Sequence, residues 1–432
     1  MILILAFFVL KMSLTRSATK EKTQQCDIAV VGAGMHSLTL VLHLLKKRPK
    51  WRKRIKVFDP HGQWLTCWHH QFAAQAIPHL RSPAVHHPHP DPFALRRFAE
   101  KRAQELFPPY DLPGTKLFAD FCQAAIAEFK IEEQIVSAAV TDLEPPTGNQ
   151  RKFTLNLKHG DPWQARRVVL ATNRTQRQLP DWLETIETPY PADRLCHSDQ
   201  VDLRGLYLRG ERIIVVGGGL STGHLALGAI ARHGKVTVIA RRAFQEKLFD
   251  ADAGWMGPKY LKGFHAEPDW EKRLGMVLNA RDGGSLTPTV MRKLRQAARQ
   301  GAVTLKPDCQ IATAQWRGDH WQLYCDNGEI IEGDRLWLAT GSRFHLDAEP
   351  LLGKIQEHYP QKSIQGFPLL DQYLRWQGCD LFLMGGLAAL QVGPTARNIS
   401  GARMACDHLV PALTKSSLQR VYGGVGCNRV SA

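Results

Sequence analysis

Gly32-Ala33-Gly34-Met35-His36-Ser37 closes the apolar run Asp27-Ile28-Ala29-Val30-Val31 and opens a helix-compatible stretch. The same pattern returns as Gly217-Gly218-Gly219-Leu220-Ser221-Thr222, after Arg212-Ile213-Ile214-Val215-Val216. Glycines at this spacing let the backbone turn tightly and approach a pyrophosphate, while the start of the helix offers free amides and the positive end of its dipole. Two such turns, each between a strand and a helix, predict two dinucleotide sites in one chain.

Working outward, the strand after the first turn, Ile55-Lys56-Val57-Phe58, ends in Asp59, about twenty-five positions on, where a carboxylate bonds adenosine ribose hydroxyls. The strand after the second turn, Val236 to Ala240, ends in Arg241-Arg242. Guanidinium forks suit a 2′-phosphate, so the first site reads as FAD and the second as NADPH. Val168-Val169-Leu170-Ala171-Thr172 and Leu336-Trp337-Leu338-Ala339-Thr340-Gly341 repeat one another on either side of the second unit. The expected fold is therefore α/β, with two doubly wound Rossmann-like dinucleotide-binding domains and the NADPH domain inserted in the FAD domain. The expected segments are a leader at 1–24, FAD-binding parts at 25–205 and 334–432, and the NADPH-binding domain at 206–333.

A chain of 432 residues with 44% hydrophobic content has room for two cores. The net charge of +16 suits acidic cofactors as well as polyanions. Its densest basic run, Lys46 to Arg54, falls between a helix and a strand, where a solvated connection is expected and nucleic-acid binding is not. Nine cysteines without a Cys-x-x-Cys pair suggest reduced thiols in the cytoplasm and no redox-active dithiol of the reductase kind. The apolar leader Met1 to Leu10 is too short to span a bilayer, leaving a peripheral anchor or a start at Met12.

Trp64 to Pro92 is rich in aromatic residues, His and Pro without periodicity, and reads as a structured loop over a ligand. Within it His86-His87-Pro88-His89-Pro90 carries metal donors, but prolines splay neighbouring imidazoles and no second ligand cluster accompanies them. No metal is expected, and the segment reads as a structural loop or a ligand contact. Leu117 to Phe129 reads as a helix, Ile135 to Leu143 with Lys152 to Leu157 as a β-ribbon, and polar helices are expected near 267–278 and 287–299. Gly254 to Tyr260 reads as a lid or as packing at the domain interface.

These motifs resemble the two-dinucleotide flavoprotein monooxygenases over residues 26 to about 410. Trp68-His69 and Leu80-Arg81-Ser82-Pro83 are similar to the Trp-His and Leu-Arg-x-Pro stretches of the lysine and ornithine N-hydroxylase branch. Met384-Gly385-Gly386 lacks the Asp that many two-dinucleotide reductases carry, which favours the monooxygenase branch. The resemblance implies cofactor contacts by Gly32, Gly34, Ser37, Asp59, Trp68, His69, Arg81, Thr340, Gly341, Gly385, Gly393 and Thr395 for FAD. For NADPH it implies Gly217, Gly219, Ser221, Arg241 and Arg242, and a helix opening after Gly393, around Thr395 and Ala396, would face the reduced flavin. Ser37 and Thr222 stand where a larger share of such turns carry Gly or Ala.

The implied chemistry is that NADPH reduces FAD, the reduced flavin takes up dioxygen as a C4a-hydroperoxide, and one oxygen passes to an amine or amino acid. Chemistry borne by the flavin calls for no catalytic triad, and none is found in the sequence. The amine-binding Lys and Asn of an ornithine hydroxylase match no motif here. The alternatives are an NADPH oxidase or reductase without oxygen insertion, and a redox-sensing regulatory flavoprotein.

Overall fold

The computed structural model describes residues 24–415 except 149, 188 and 282. The apolar leader lies outside the described residues. The first sheet is built on β1 (Gln24–Val31), with β2 (Ile55–Asp59) and β3 (Ile135–Ser137) beyond it on one side, all parallel. A parallel sheet is covered on both faces, so its strands run apolar without alternation; Ile28, Ala29 and Val30 are accordingly fully buried. β4 (Val140–Glu144) and β5 (Phe153–Leu157) form an antiparallel extension that ends on β6 (Trp163–Leu170).

β6 pairs with β1 along its whole length, with β5 over its first half, and with β15 (Leu381–Leu383) over its last three residues. The C-terminal part of the chain thus returns to the first sheet. Helix α1 (Met35–Lys47) packs against α8 (Ile399–Thr414), and α3 (Thr115–Phe129) completes the layer with Leu117, Phe118 and Phe121 buried.

The second sheet runs β7-β14-β8-β9-β10, all parallel, from β7 (Leu195–His197), β8 (Arg212–Val216), β9 (Lys235–Ile239), β10 (Val303–Lys306) and β14 (Arg335–Leu338). One face is covered by α4 (Leu220–Ile230) and α7 (Pro288–Arg299). The other is covered by an antiparallel meander of β11 (Ile311–Trp316), β12 (Trp321–Cys325) and β13 (Ile330–Gly333), whose Trp316, Trp321 and Leu323 fill the space.

Strand membership departs from the expected boundaries. Leu195–His197 precedes 206 and Arg335–Leu338 follows 333, yet both pair inside the second sheet. In the other direction, Trp255 and the helices α5 (Pro258–Ala266) and α6 (Trp270–Arg281) lie within the inserted segment, yet Trp255, Phe264, Leu274 and Val277 join the core of the first unit. Trp255 meets Tyr260 at 5.2 Å and Phe264 at 5.9 Å, and none of 254–260 faces the interdomain cavity described below. This segment packs the domain interface.

The loop expected over 64–92 contains a helix, α2 (Thr66–Ala74), and the region expected as one ribbon from 135 divides into β3 and β4, which pair with different partners. The last helix starts at Ile399, so Thr395 and Ala396 lie in a turn ahead of it and not at its amino end.

The histidine segment is held from behind. Arg403 of α8 donates to the carbonyls of His87 at 3.1 Å, His89, and Pro90 at 3.2 Å, and the His87 ring packs on Phe121 at 5.0 Å. Burial, seconded by the Arg403 charge, pushes His43 and His86 down to about 4; burial also lowers His87, to about 3. These imidazoles stay neutral in the folded protein while the unfolded chain takes up protons from pH 6.5 downward, so stability is fully present above that value and is lost as pH falls through the window from 6.5 to about 4. At about 1.4 kcal/mol per pH unit, each such imidazole removes about 2 kcal/mol by about pH 5. Urea midpoints at about pH 7.5 and about pH 5 check this, and an unchanged midpoint would refute it.

Candidate functional site

The first glycine turn is dictated by backbone space. Gly32 has φ +97°, its amide donates to the Phe58 carbonyl at 2.8 Å, and a Cβ there would lie 2.9 Å from the Ala171 carbonyl oxygen. Ser37, fully buried, donates its hydroxyl back to the Gly32 carbonyl, so it fixes the turn from inside and does not face the cavity. Gly34 caps α1 in an extended conformation (φ −82°, ψ −173°), and a Cβ there would meet no atom within 4 Å. That emptiness is the cradle: backbone amides face open space at a helix start, as a dinucleotide pyrophosphate requires. Asp59 closes it from the side, one oxygen accepting from the Ala33 amide at 2.9 Å and the other from the His61 amide at 3.0 Å.

The second turn is tighter. Gly217 has φ +147° and its amide donates to the Ile239 carbonyl at 2.8 Å; a Cβ would stand 2.3 Å from the Ala339 carbonyl oxygen. Gly219 caps α4, and opposite it a Cβ on Gly284 would come within 2.8 Å of the Gly219 Cα. The Gly283-Gly284 backbone therefore forms a wall across the second cradle, and only glycine at 284 permits so close an approach. Arg241 is exposed at the end of β9, whereas half-buried Arg242 lies against Gly283, where an added Cβ would meet its Nη2 at 2.2 Å. Ser221 lines the same cradle, and Thr222 is fully buried behind it.

Between the sheets lies a cavity of about 2110 Å³ that both turns line. Sites for single small molecules run to roughly 1,000 Å³, so this one has room for more than one ligand. Gly32, Gly34, Asp59, Trp68, Arg81, Gly217, Gly219, Ser221, Arg241, Arg242, Thr340 and Gly341 meet in its wall. Ser37, His69, Gly385, Gly393 and Thr395 do not. Gly385 and Gly393, at φ +80° and +95°, shape the turns that bring Gly386, Pro394 and Ala396 to the wall instead. Thr395 is buried with its hydroxyl on the Met404 sulfur at 3.5 Å.

The two connections between the units run side by side, Gln176–Arg177 pairing with Ser342–Arg343. Gly341 accepts from the Gln178 amide at 2.9 Å and bonds His197 Nε2 at 3.2 Å, and Thr340 donates to the Gln178 carbonyl. Arg81 spans the cleft: its guanidinium donates to the carbonyls of Lys247 at 2.6 Å and Leu248 at 2.9 Å and to the Ser285 hydroxyl at 2.9 Å. It clasps one unit to the other while its side chain still lines the cavity. Trp68 stacks on Phe72 at 4.2 Å and forms part of the first unit's wall.

Reasoning from sequence missed four cavity residues, Asp250, Arg281, Arg397 and Asn398. Asp250 accepts from Arg281 Nη2 at 2.5 Å and from Asn398 Nδ2 at 3.3 Å, and Arg281 also donates to the Pro394 carbonyl at 3.2 Å. Burial opposes ionisation of Asp250, but the charges of Arg281, Arg81 and Arg397 outweigh it and hold the carboxyl below its usual range. Arg397 is an exposed residue in the cavity wall. Burial, and next the Arg281 charge, push its guanidinium down to about 10. It sits 5.9 Å over the Phe344 ring and presents its donors to the cavity. His36, buried, bonds the Ala396 carbonyl at 2.9 Å, and burial pushes its imidazole below the usual range. No spacing in the sequence links these positions; only folding brings 36, 250, 281 and 397 together.

Residues 29–175 match the model of a family described as FAD-NAD(P)-binding. The FAD-bound cadaverine monooxygenase of desferrioxamine biosynthesis from Erwinia amylovora superposes with a TM-score of 0.73 at 14% identity, over 95% of this chain and 99% of that one. This chain has the fold of that FAD-bound monooxygenase. L-lysine 6-monooxygenase from Pseudomonas syringae gives a TM-score of 0.71 at 17% identity, covering 90% of this chain and 99% of that one. L-lysine N6-monooxygenase of Escherichia coli is 25% identical over 251 residues, 53% of this chain. The chain spans 56% of the length of that curated relative.

Proposed function

We propose that the protein is an FAD-dependent, NADPH-using monooxygenase that N-hydroxylates an amine or amino acid. One observation carries this reading: a single cavity is lined at once by two glycine cradles, one with Asp59 beside it and the other with Arg241 and Arg242, in the fold of amine N-hydroxylating enzymes. Bound FAD, once reduced, would supply the activation of dioxygen. The chain's own part is to hold, orient and enclose. The amides around Gly34 hold the first pyrophosphate, Asp59 keeps a carboxylate beside the adenosine ribose, and Arg241 takes the 2′-phosphate of the second nucleotide.

Arg81 clasps the two units, and Arg397, over the Phe344 ring and beside Asn398, which Asp250 holds, offers the space between the cradles a cation for a ligand's anionic group. The cytoplasm is the proposed compartment, supported by eight free cysteines among the described residues; no helix among them is long and apolar enough to cross a membrane. The basic run has internal work in any case: Arg54 pairs with Asp27 and lies 4.6 Å over Trp51, and Arg52 donates to the Phe129 carbonyl at 3.1 Å.

The test is NADPH consumption by the FAD-loaded protein across a panel of diamines and basic amino acids, with product mass spectra. The expected outcome is one amine whose presence yields product with one added oxygen in step with NADPH used. Steady peroxide release with no oxygenated product from any amine would place the protein with the oxidases instead.

A further inference from the structure

The nine cysteines show no paired spacing in the sequence, yet the fold brings two of them into contact: Cys309 Sγ and Cys325 Sγ lie 2.9 Å apart, both buried. Cys309 lies between β10 and β11, and Cys325 ends β12; the Ile311 and Cys325 register and the hydrogen bond from the Asp326 amide to the Gln310 carbonyl, at 3.0 Å, hold the two segments side by side. Cys309 lines the interdomain cavity, together with Gln310, Ile311 and Asp326, whereas Cys325 stands behind it. The Cys309 amide donates to the Ala240 carbonyl at 3.0 Å, one residue before Arg241. The thiol pair is therefore tied to the strand end that carries the arginines of the second cradle.

We propose that Cys309 and Cys325 form a reversible dithiol switch that hydrogen peroxide closes to a disulfide, altering the nucleotide cradle through Ala240. Cys309, reached from the cavity, attacks one peroxide oxygen as thiolate; the O–O bond breaks, its sulfur becomes a sulfenic acid, and the departing hydroxide takes the thiol proton as water. The Cys325 sulfur then attacks the sulfenic sulfur, the S–O bond breaks, and the second hydroxide leaves with the Cys325 proton. The sum is two thiols and one peroxide giving one disulfide and two waters. Roles are set by position: Cys309 lines the cavity and meets peroxide first, whereas Cys325 stands behind it in contact with Cys309 and resolves; burial pushes the Cys325 thiol up. Closing to a bond of about 2.05 Å draws the sulfurs together by roughly 0.9 Å, and the shift falls on a segment whose amide holds Ala240. The source of peroxide and the NADPH readout rest on the proposed function, since a flavin reacting with dioxygen without an amine releases peroxide; formation of the disulfide itself does not.

The experiment uses the FAD-loaded full chain in two arms, one given hydrogen peroxide and the other NADPH and air without amine, followed by alkylation and non-reducing peptide mapping. In the first arm a Cys309–Cys325 linked peptide is expected, reversed by dithiothreitol, with the KM for NADPH changed at least about threefold while linked; the change vanishes in Cys325→Ser. Cys122 and Cys406, fully buried elsewhere, should stay reduced and serve as internal standards. Free, alkylatable Cys309 and Cys325 after peroxide, or a linked peptide with unaltered KM, overturns the switch. A linked peptide in the first arm but none in the second keeps the switch and overturns this flavin as its source of oxidant, while the proposed function stands or falls on the amine panel alone.

Discussion

Gly34→Val should give a folded protein that purifies without its yellow cofactor. Gly34 sits at an extended φ of −82°, a conformation valine favours, and a Cβ there meets nothing within 4 Å, so the chain itself has no objection to a side chain. The cost to the fold is the loss of a tolerated N-cap residue, about 1 kcal/mol. The cost to the ligand is far larger, because the valine methyl groups fill the space in front of the Gly34 to His36 amides at the start of α1. Losing two charge-assisted hydrogen bonds of about 1.5–3 kcal/mol each lowers flavin affinity roughly 100-fold or more. Gly32→Ala is the counterpart: at φ +97°, with a Cβ 2.9 Å from the Ala171 carbonyl oxygen, it strains the backbone by about 1–3 kcal/mol and should lower the melting temperature. Flavin-to-protein ratio by absorbance and far-UV circular dichroism separate the two. Full flavin content in Gly34→Val would mean that the first cradle holds something else.

The contrast between these two glycines marks what was legible in the sequence. A turn that needs positive φ and close backbone approach advertises itself locally, so both strand-turn-helix units, Asp59, and the Arg241 and Arg242 pair are visible in the residues alone. Helix α2 was hidden because it has no amphipathic stripe: only Ala74 is buried, and its cap is Leu65 in a left-handed conformation without a capping side chain. Strand membership was hidden because Val168 to Leu170 and Leu336 to Leu338 are equally apolar, and which sheet an apolar strand joins is settled by distant partners. For the same reason Arg81 could be marked as a site residue, but not as a clasp on Lys247, Leu248 and Ser285. Gly283 and Gly284 carry no motif; their meaning exists only against Gly219 and Arg242.

That wall decides how the second site should be tested. Arg241→Ala with Arg242→Ala is expected to weaken NADPH by about 10- to 100-fold, the worth of one charge-assisted contact to phosphate, while NADH changes by less than about threefold. The single substitutions divide the effect by its cause. Arg241 is exposed, so Arg241→Ala removes a phosphate partner and little else, and its effect should shrink as salt rises. Arg242 lies against Gly283, so Arg242→Ala also frees the segment that closes on Gly219 and should weaken both nucleotides alike, by a factor within that threefold. Gly284→Ala reproduces that second effect without touching charge, because its methyl group would stand 2.8 Å from the Gly219 Cα and must force the wall outward. Binding of both nucleotides to the flavin-loaded variants, followed by fluorescence, reads all four. If the NADPH-to-NADH preference survives in the double variant, the arginines at the end of β9 do not recognise a 2′-phosphate, and selectivity must come from elsewhere in the cavity, with Arg281 and Arg397 the next guanidinium groups to replace.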